Sequence, residues 1–138
     1  MQFQAFNKIL IEDQTITNYV VEQVILGYEF KIRYPFFRGN YLSCIEKLEF
    51  KMDGEKLNKE FIFFTLNGKQ YLLKELKDQY KEYWYVLEDA TITVIKKGGI
   101  VRGNHTITVE MRHKLPYRRI REECQILSNV AERTLMAE

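Results

Sequence analysis

Cysteine and proline are scarce in this chain, two of each in 138 residues, and histidine and tryptophan are as rare, with two and one. Each shortage excludes something. Cys44 and Cys124 allow a single bridge at most, which is no disulfide framework, and free buried thiols are the commoner state in a reducing compartment. No apolar run approaches the roughly 18 residues that a membrane span requires. The opening MQFQAFNKILIED lacks the basic region and apolar run of a signal peptide, so the cytoplasm is the expected location. The formal net charge is only +2, with acidic and basic residues interspersed, which argues against nucleic-acid binding by bulk electrostatics. The length predicts one domain spanning 1–138, able to bury roughly two thirds of its unfolded surface without a metal or a disulfide.

What the chain has in abundance is tyrosine and phenylalanine, nine of each, in segments that alternate. Tyr28, Phe30, Ile32 and Tyr34 interleave with Glu29, Lys31 and Arg33, the period of a strand with one buried face. Val24 to Tyr34 therefore reads as a long strand, ended by Pro35, which cannot donate to a ladder. Ile45 to Met52 sets Leu48, Phe50 and Met52 opposite Lys47, Glu49 and Lys51. It runs into Asp53-Gly54, and Phe61 to Leu66 runs into Asn67-Gly68, both strong hairpin dipeptides. Short strands are also expected at Asn7 to Glu12 and Thr15 to Tyr19 around an Asp13-Gln14 turn, at Trp84 to Leu87, at Thr91 to Lys96 before Gly98-Gly99, and at Thr106 to Leu115. Leu72, Leu76 and Tyr80 recur at helical spacing and predict a short helix within Tyr71 to Tyr80. The tail from Arg118 is mixed and polar, with a last short strand at Arg133 to Met136. The fold class that follows is all-β, mainly an antiparallel β-sandwich, with one short helix.

Catalytic chemistry finds little purchase. His105 and His113 begin and end one expected strand, and eight residues at ~3.3 Å each hold them roughly 26 Å apart, too far to share a metal. Glu46, Glu49, Asp53 and Glu55 read as solvated carboxylates in strands and turns and not as an acid/base pair. Ser43 and Cys44 have no nucleophile elbow around them, and Cys44 reads as a small core residue. Gly98, Gly99 and Gly103 read as turn residues. The basic run Arg112, Lys114, Arg118, Arg119 and Arg121, offset by Glu122 and Glu123, reads as a solvated face or an interface rim. The aromatic loop is more informative. Phe36, Phe37 and Arg38 follow the proline break, and Leu115-Pro116-Tyr117 repeats the theme of Tyr34-Pro35-Phe36. If both breaks lie at one end of the sheet, they form an apolar patch ringed by arginines, the composition of protein-interface hot spots.

The run GYEFKIRYPFFRGNYLSCIEKLEFKMDGE, Gly27 to Glu55, resembles the corresponding region of the small β-subunits of bacterial C-glycoside deglycosidases. There a strand of this pattern leads to an aromatic-Arg-Gly turn, a Leu-Ser step and a strand ending in Asp-Gly, here Tyr34 to Phe37, Arg38, Gly39, Leu42, Ser43 and Asp53-Gly54. Where many relatives carry proline before the Leu-Ser step, this chain has Asn40-Tyr41. The resemblance implies a β-sandwich subunit assembled with an α-subunit shaped like a sugar-isomerase TIM barrel, which holds a divalent metal, usually manganese, and the catalytic residues. It implies a 3-oxo-C-glucoside of a flavonoid or related phenol as substrate. A C–C glycosidic bond offers no leaving oxygen to protonate. A ketone at C3 acidifies the C2 proton, so the aglycone departs by elimination, as in a lyase, with the enolate stabilised by the metal.

On that reading this chain carries no catalytic centre, metal or other cofactor of its own. Its partner interface is expected at Tyr34, Pro35, Phe36, Phe37, Arg38 and Tyr41, with Pro116 and Tyr117 behind them. The alternatives are a free-standing carbohydrate-binding β-sandwich that stacks sugars on exposed aromatics, and a small self-sufficient β-barrel enzyme.

Overall fold

The structure, a computed structural model, describes residues 6–12, 15–120 and 122–138. A one-turn helix α1 (Asn7–Leu10) precedes eleven strands: β1 (Thr17–Val21), β2 (Val24–Ile32), β3 (Asn40–Tyr41), β4 (Ile45–Met52), β5 (Glu55–Lys56), β6 (Ile62–Leu66), β7 (Lys69–Leu72), β8 (Tyr83–Trp84), β9 (Ala90–Ile95), β10 (Gly103–Ile120) and β11 (Glu123–Ala137). One antiparallel sheet runs β1-β2-β9-β6-β7, a second runs β11-β10-β4-β5, and β3 pairs with β8 as a two-stranded ribbon. The inward residues of both large sheets share one core, joined where Phe30 of β2 meets Phe50 of β4 edge to face at 5.7 Å. This is the all-β architecture that the alternating segments predict.

Both expected hairpin dipeptides form turns with two left-handed residues, Asp53 (φ 52°) with Gly54 (85°) and Asn67 (52°) with Gly68 (77°). That geometry matches the twist of the strands it joins. A third such turn, Glu22 (49°) and Gln23 (70°), joins β1 to β2 without a glycine or asparagine to announce it.

Four elements differ from expectation. Asn7–Leu10 is helical, and Ile11 alone bridges to Ile32; the expected Asp13-Gln14 turn lies outside the described residues. The stretch read as a helix from Tyr71 divides into the end of β7 and a 3₁₀ segment, Leu73–Asp78, because the Asn67-Gly68 hairpin recruits residues 69–72 to the sheet. Trp84 to Leu87 is mostly turn, with the Trp84 indole N–H donating to the Glu88 carbonyl. The largest difference is the tail, which forms a 15-residue strand along an 18-residue β10. Pro116 does not end β10. It sits in an irregularity between Leu115 and Arg119, where no ladder N–H is required of it. Arg121 and the side chains of Arg118 and Arg119 lie outside the described residues.

Candidate partner-binding face

The loop after β2 sorts its aromatics sharply. Tyr34, Pro35 and Phe36, three of the expected interface residues, are buried within the chain's own core. A backbone bond from Phe36 N–H to the Tyr34 carbonyl, 3.0 Å, tightens the chain around Pro35. The next two residues, Phe37 and Arg38, point to solvent, Phe37 with 62% of its surface exposed. Gly39 then passes so close to β8 that a Cβ would lie 2.2 Å from the Trp84 carbonyl oxygen and 2.8 Å from the Tyr83 ring. Close approach, and not a left-handed backbone, demands glycine here. It lets Asn40 and Tyr41 pair with Trp84 and Tyr83.

The ribbon so formed carries an aromatic ladder. Tyr41 meets Tyr83 edge to face at 5.0 Å, and Tyr83 meets Tyr85 at 4.8 Å. The Arg38 guanidinium carbon lies 4.3 Å from the Tyr117 ring centroid, a cation–π contact. That contact joins the two proline breaks at one end of the molecule. Of the expected interface residues, Phe37, Arg38 and Tyr41 are exposed, and Pro116 and Tyr117 are half-buried behind them.

Beneath this face runs a buried polar chain. The Asn40 amide donates to the Tyr34 hydroxyl (2.9 Å) and the Lys114 carbonyl (2.8 Å), and the Asn40 side-chain oxygen accepts from Tyr41 N–H (2.8 Å). The Tyr34 hydroxyl in turn bonds His113 Nδ1. His113 Nε2 meets Asn129 Oδ1 at 2.7 Å, and the Asn129 amide donates to Asn7 Oδ1 at 2.8 Å. Since Asn129 spends its amide on Asn7, its oxygen faces His113, and Nε2 is the protonated nitrogen. Nδ1 is then the acceptor for the tyrosine proton, and the imidazole is neutral. Tyr34, His113 and Asn129 are fully buried and Asn40 nearly so. Burial pushes the His113 imidazole below its ordinary pKa, against the opposing bond to Asn129, and holds the Tyr34 phenol well above its own range.

The other histidine has the opposite charge logic. His105 Nδ1 faces Asp53 Oδ2 at 2.6 Å and Nε2 faces the Val101 carbonyl at 2.6 Å, two acceptors that only an imidazolium satisfies. The Asp53 hydrogen bond chiefly raises its pKa, and that of Asp53 falls in return. A raised folded-state pKa stabilises fully below the unfolded value near 6.5 and is lost as pH rises through the folded one. His105→Asn should therefore flatten the decline in Tm from roughly pH 6.5 upward. Calorimetric scans across pH check this, and an undiminished decline rules the pair out as its source.

The carboxylates are matched to cations, not to one another: Glu46 to Arg112 (3.5 Å), and Glu49 to Lys56 (3.3 Å) and Lys47 (3.5 Å). Burial pushes the Cys44 thiol up, the state of a core residue and not of a nucleophile. Among the described residues no three His, Cys, Asp or Glu side chains cluster in a way that could hold a metal ion. No helix among them is long and apolar enough to cross a membrane.

The family model for the C-glycoside deglycosidase beta subunit matches residues 6–117. The chain belongs to that family. A C-glycoside deglycosidase beta subunit from Eubacterium cellulosolvens is 34% identical over 83 residues, 60% of this chain and 56% of the relative. The chain thus spans little more than half the length of that relative. A 3'-dehydrocarminate deglycosidase beta subunit from a Microbacterium species is 30% identical over 93 residues, 66% of this chain and 68% of the relative. An Arthrobacter globiformis C-glycoside deglycosidase beta subunit is 25% identical over 68 residues, 49% of this chain and 52% of the relative.

Set on this deglycosidase-family chain, the matched stretch ends at Tyr117, so the candidate face lies inside it and β11 beyond it. Sequence reasoning missed Tyr83 and Tyr85 on this face; the density of rings in Tyr80-Lys-Glu-Tyr-Trp-Tyr was the available signal. It also missed a second patch. Val20, Val21, Val24, Ile25 and Leu26 are exposed at the β1–β2 turn, about 30 Å away along a nine-residue strand. Five aliphatics around one turn would have flagged it.

Proposed function

We propose that this chain is the accessory, non-catalytic β-subunit of a heteromeric C-glycoside deglycosidase, seated in the cytoplasm. It binds a TIM-barrel α-subunit through the face of Phe37, Arg38, Tyr41, Tyr83 and Tyr85. The α-subunit supplies the divalent metal, expected to be manganese, and the base, and the complex opens the C–C bond of a 3-oxo-C-glucoside of a flavonoid or related phenol by elimination. The observation that carries this reading is the combination at one end of the fold: exposed rings and an arginine, held on a ribbon by a rigid buried network, in a chain of this family. Large aromatics and arginine on a preorganised surface are what binding hot spots use.

The test is reconstitution. The chain alone, the barrel subunit alone and the two combined are assayed on a 3-oxo-C-glucoside, with release of the aglycone followed by chromatography. Turnover is expected only from the combination. Cleavage by the metal-stripped 138-residue chain alone would falsify the reading.

A further inference from the structure

Beside the aromatic face lies a groove of about 490 Å³ between the start of β4 and two 3₁₀ segments, Lys59–Phe61 and Leu73–Asp78. Its floor is apolar: Ile45, Leu48 and Leu76 are buried, and Leu72 and Leu73 half-buried. Its rim is charged and unbalanced. Lys47 is committed to Glu110 at 3.0 Å, and Glu46 to Arg112 at 3.5 Å. Lys59 reaches Glu49 only at 4.0 Å, and that carboxylate already holds Lys56 and Lys47. Lys74 and Lys77 have no carboxylate within ion-pair distance among the described residues. The adjacent Glu75 spends an oxygen on Leu72 N–H, 2.7 Å. Among the remaining charges that line the groove, Lys59, Lys74 and Lys77 outnumber Glu60, and Glu49 reaches Lys59 only from outside it.

The groove is continuous with the candidate face. Ser43 N–H donates to the Gln79 carbonyl (3.2 Å) and Leu42 N–H to the Glu82 carbonyl (3.0 Å), which fastens the groove's wall to the segment directly after Tyr41. A partner covering Tyr41 and Tyr83 would lie next to it. An open depression with an aliphatic floor and surplus positive charge is complementary to a chain segment carrying both apolar and acidic side chains. A small inorganic anion would leave the floor unused.

We infer that the groove receives an acidic, partly apolar segment of the α-subunit. The inference rests on the subunit reading above and adds to it a second, electrostatic contact. Rings at the face hold the complex together, and lysines at the groove speed its formation. Surface charges of this kind act mainly on the association rate and are screened by salt.

The two purified subunits are combined on a biosensor at about 100 mM and about 1 M salt, between which the screening length falls from about 10 Å to about 3 Å. The wild-type association rate constant is expected to fall roughly 10- to 100-fold over that range. Lys59→Glu/Lys74→Glu/Lys77→Glu is expected to show the low rate at both salt concentrations. Lys97→Glu/Arg102→Glu, a charge reversal away from the groove, should behave as wild type. Thermal melts of each free variant verify folding. A wild-type complex that forms equally fast at both concentrations, or a triple reversal that associates as wild type does, overturns the groove while leaving the subunit reading intact. Absence of any wild-type complex overturns both.

Discussion

Alanine at both Phe37 and Arg38 is expected to weaken assembly with the proposed α-subunit by about 4 kcal/mol, roughly a thousandfold in Kd. Exposure and anchoring set the size of this effect. Phe37 keeps 62% of its surface available, and its ring is steadied from behind by Phe36 at 4.4 Å and Phe6 at 6.2 Å. Arg38 is held over Tyr117, so its planar fork is preoriented and loses less entropy on binding than a free arginine. Because neither side chain belongs to the core, the free variant should unfold within about 1 kcal/mol of wild type. Size-exclusion chromatography and calorimetric titration of the two subunits read the first quantity, and chemical denaturation of the free chain the second. Co-elution at wild-type affinity would remove both residues from the interface.

The second large effect is internal. Tyr34→Phe deletes one oxygen that accepts from Asn40 and donates to His113. It leaves His113 Nδ1 buried without a donor, and unsatisfied buried groups cost about 1–3 kcal/mol each. A loss of roughly 2–4 kcal/mol is expected, large against the 5–15 kcal/mol that a domain has to spare. The same network predicts the acid response. With the His113 pKa depressed in the folded state, the unfolded chain takes up its proton first as pH falls below about 6.5. Stability therefore declines from there down to the folded-state pKa, with a slope of at most about 1.4 kcal/mol per pH unit, and is flat above. This runs opposite to the His105 contribution, so the two histidines bracket a stability maximum near neutrality. Denaturant titrations of Tyr34→Phe and of wild type at several pH values test both points. An unchanged midpoint in Tyr34→Phe, or no acid decline traceable to His113→Gln, would show the network to be energetically idle.

Legibility in the sequence followed the purity of the alternation. From Tyr28 to the end of β2, through β4, and over Ile107 to Met111 of β10, every inward position is apolar and the outward ones are charged or polar, so those stretches and their faces read directly. In β11 the pattern is inverted in places. Gln125 and Asn129 point inward, while Ile126, Val130 and Met136 point out. A strand that buries amides and exposes aliphatics looks like a mixed loop until its partners are known. The helix at Asn7–Leu10 and the Glu22-Gln23 turn were hidden for a related reason: no cap or glycine marks either.

The candidate site was half legible. Its location at the aromatic-Arg-Gly turn could be named from the residues, but which rings stayed outside could not. Tyr34 and Phe36 are two apart and both turn inward, Phe37 turns outward, and Pro35 between them is buried. The period of two turns Tyr34 inward, toward His113 79 positions away; past the proline break no period governs which of Phe36 and Phe37 follows it. The lysine-rimmed groove draws on β4, β7 and two 3₁₀ segments, and only the closed fold assembles it.

The acceptor that fixes the His113 tautomer is Asn129, a residue of β11 that lies past the last position at which the chain aligns with its relatives' family model. What makes the chain recognisable and what keeps it cooperative therefore have different borders. A fragment trimmed to the recognisable part would strip one whole flank from β10 and hand the imidazole back to water.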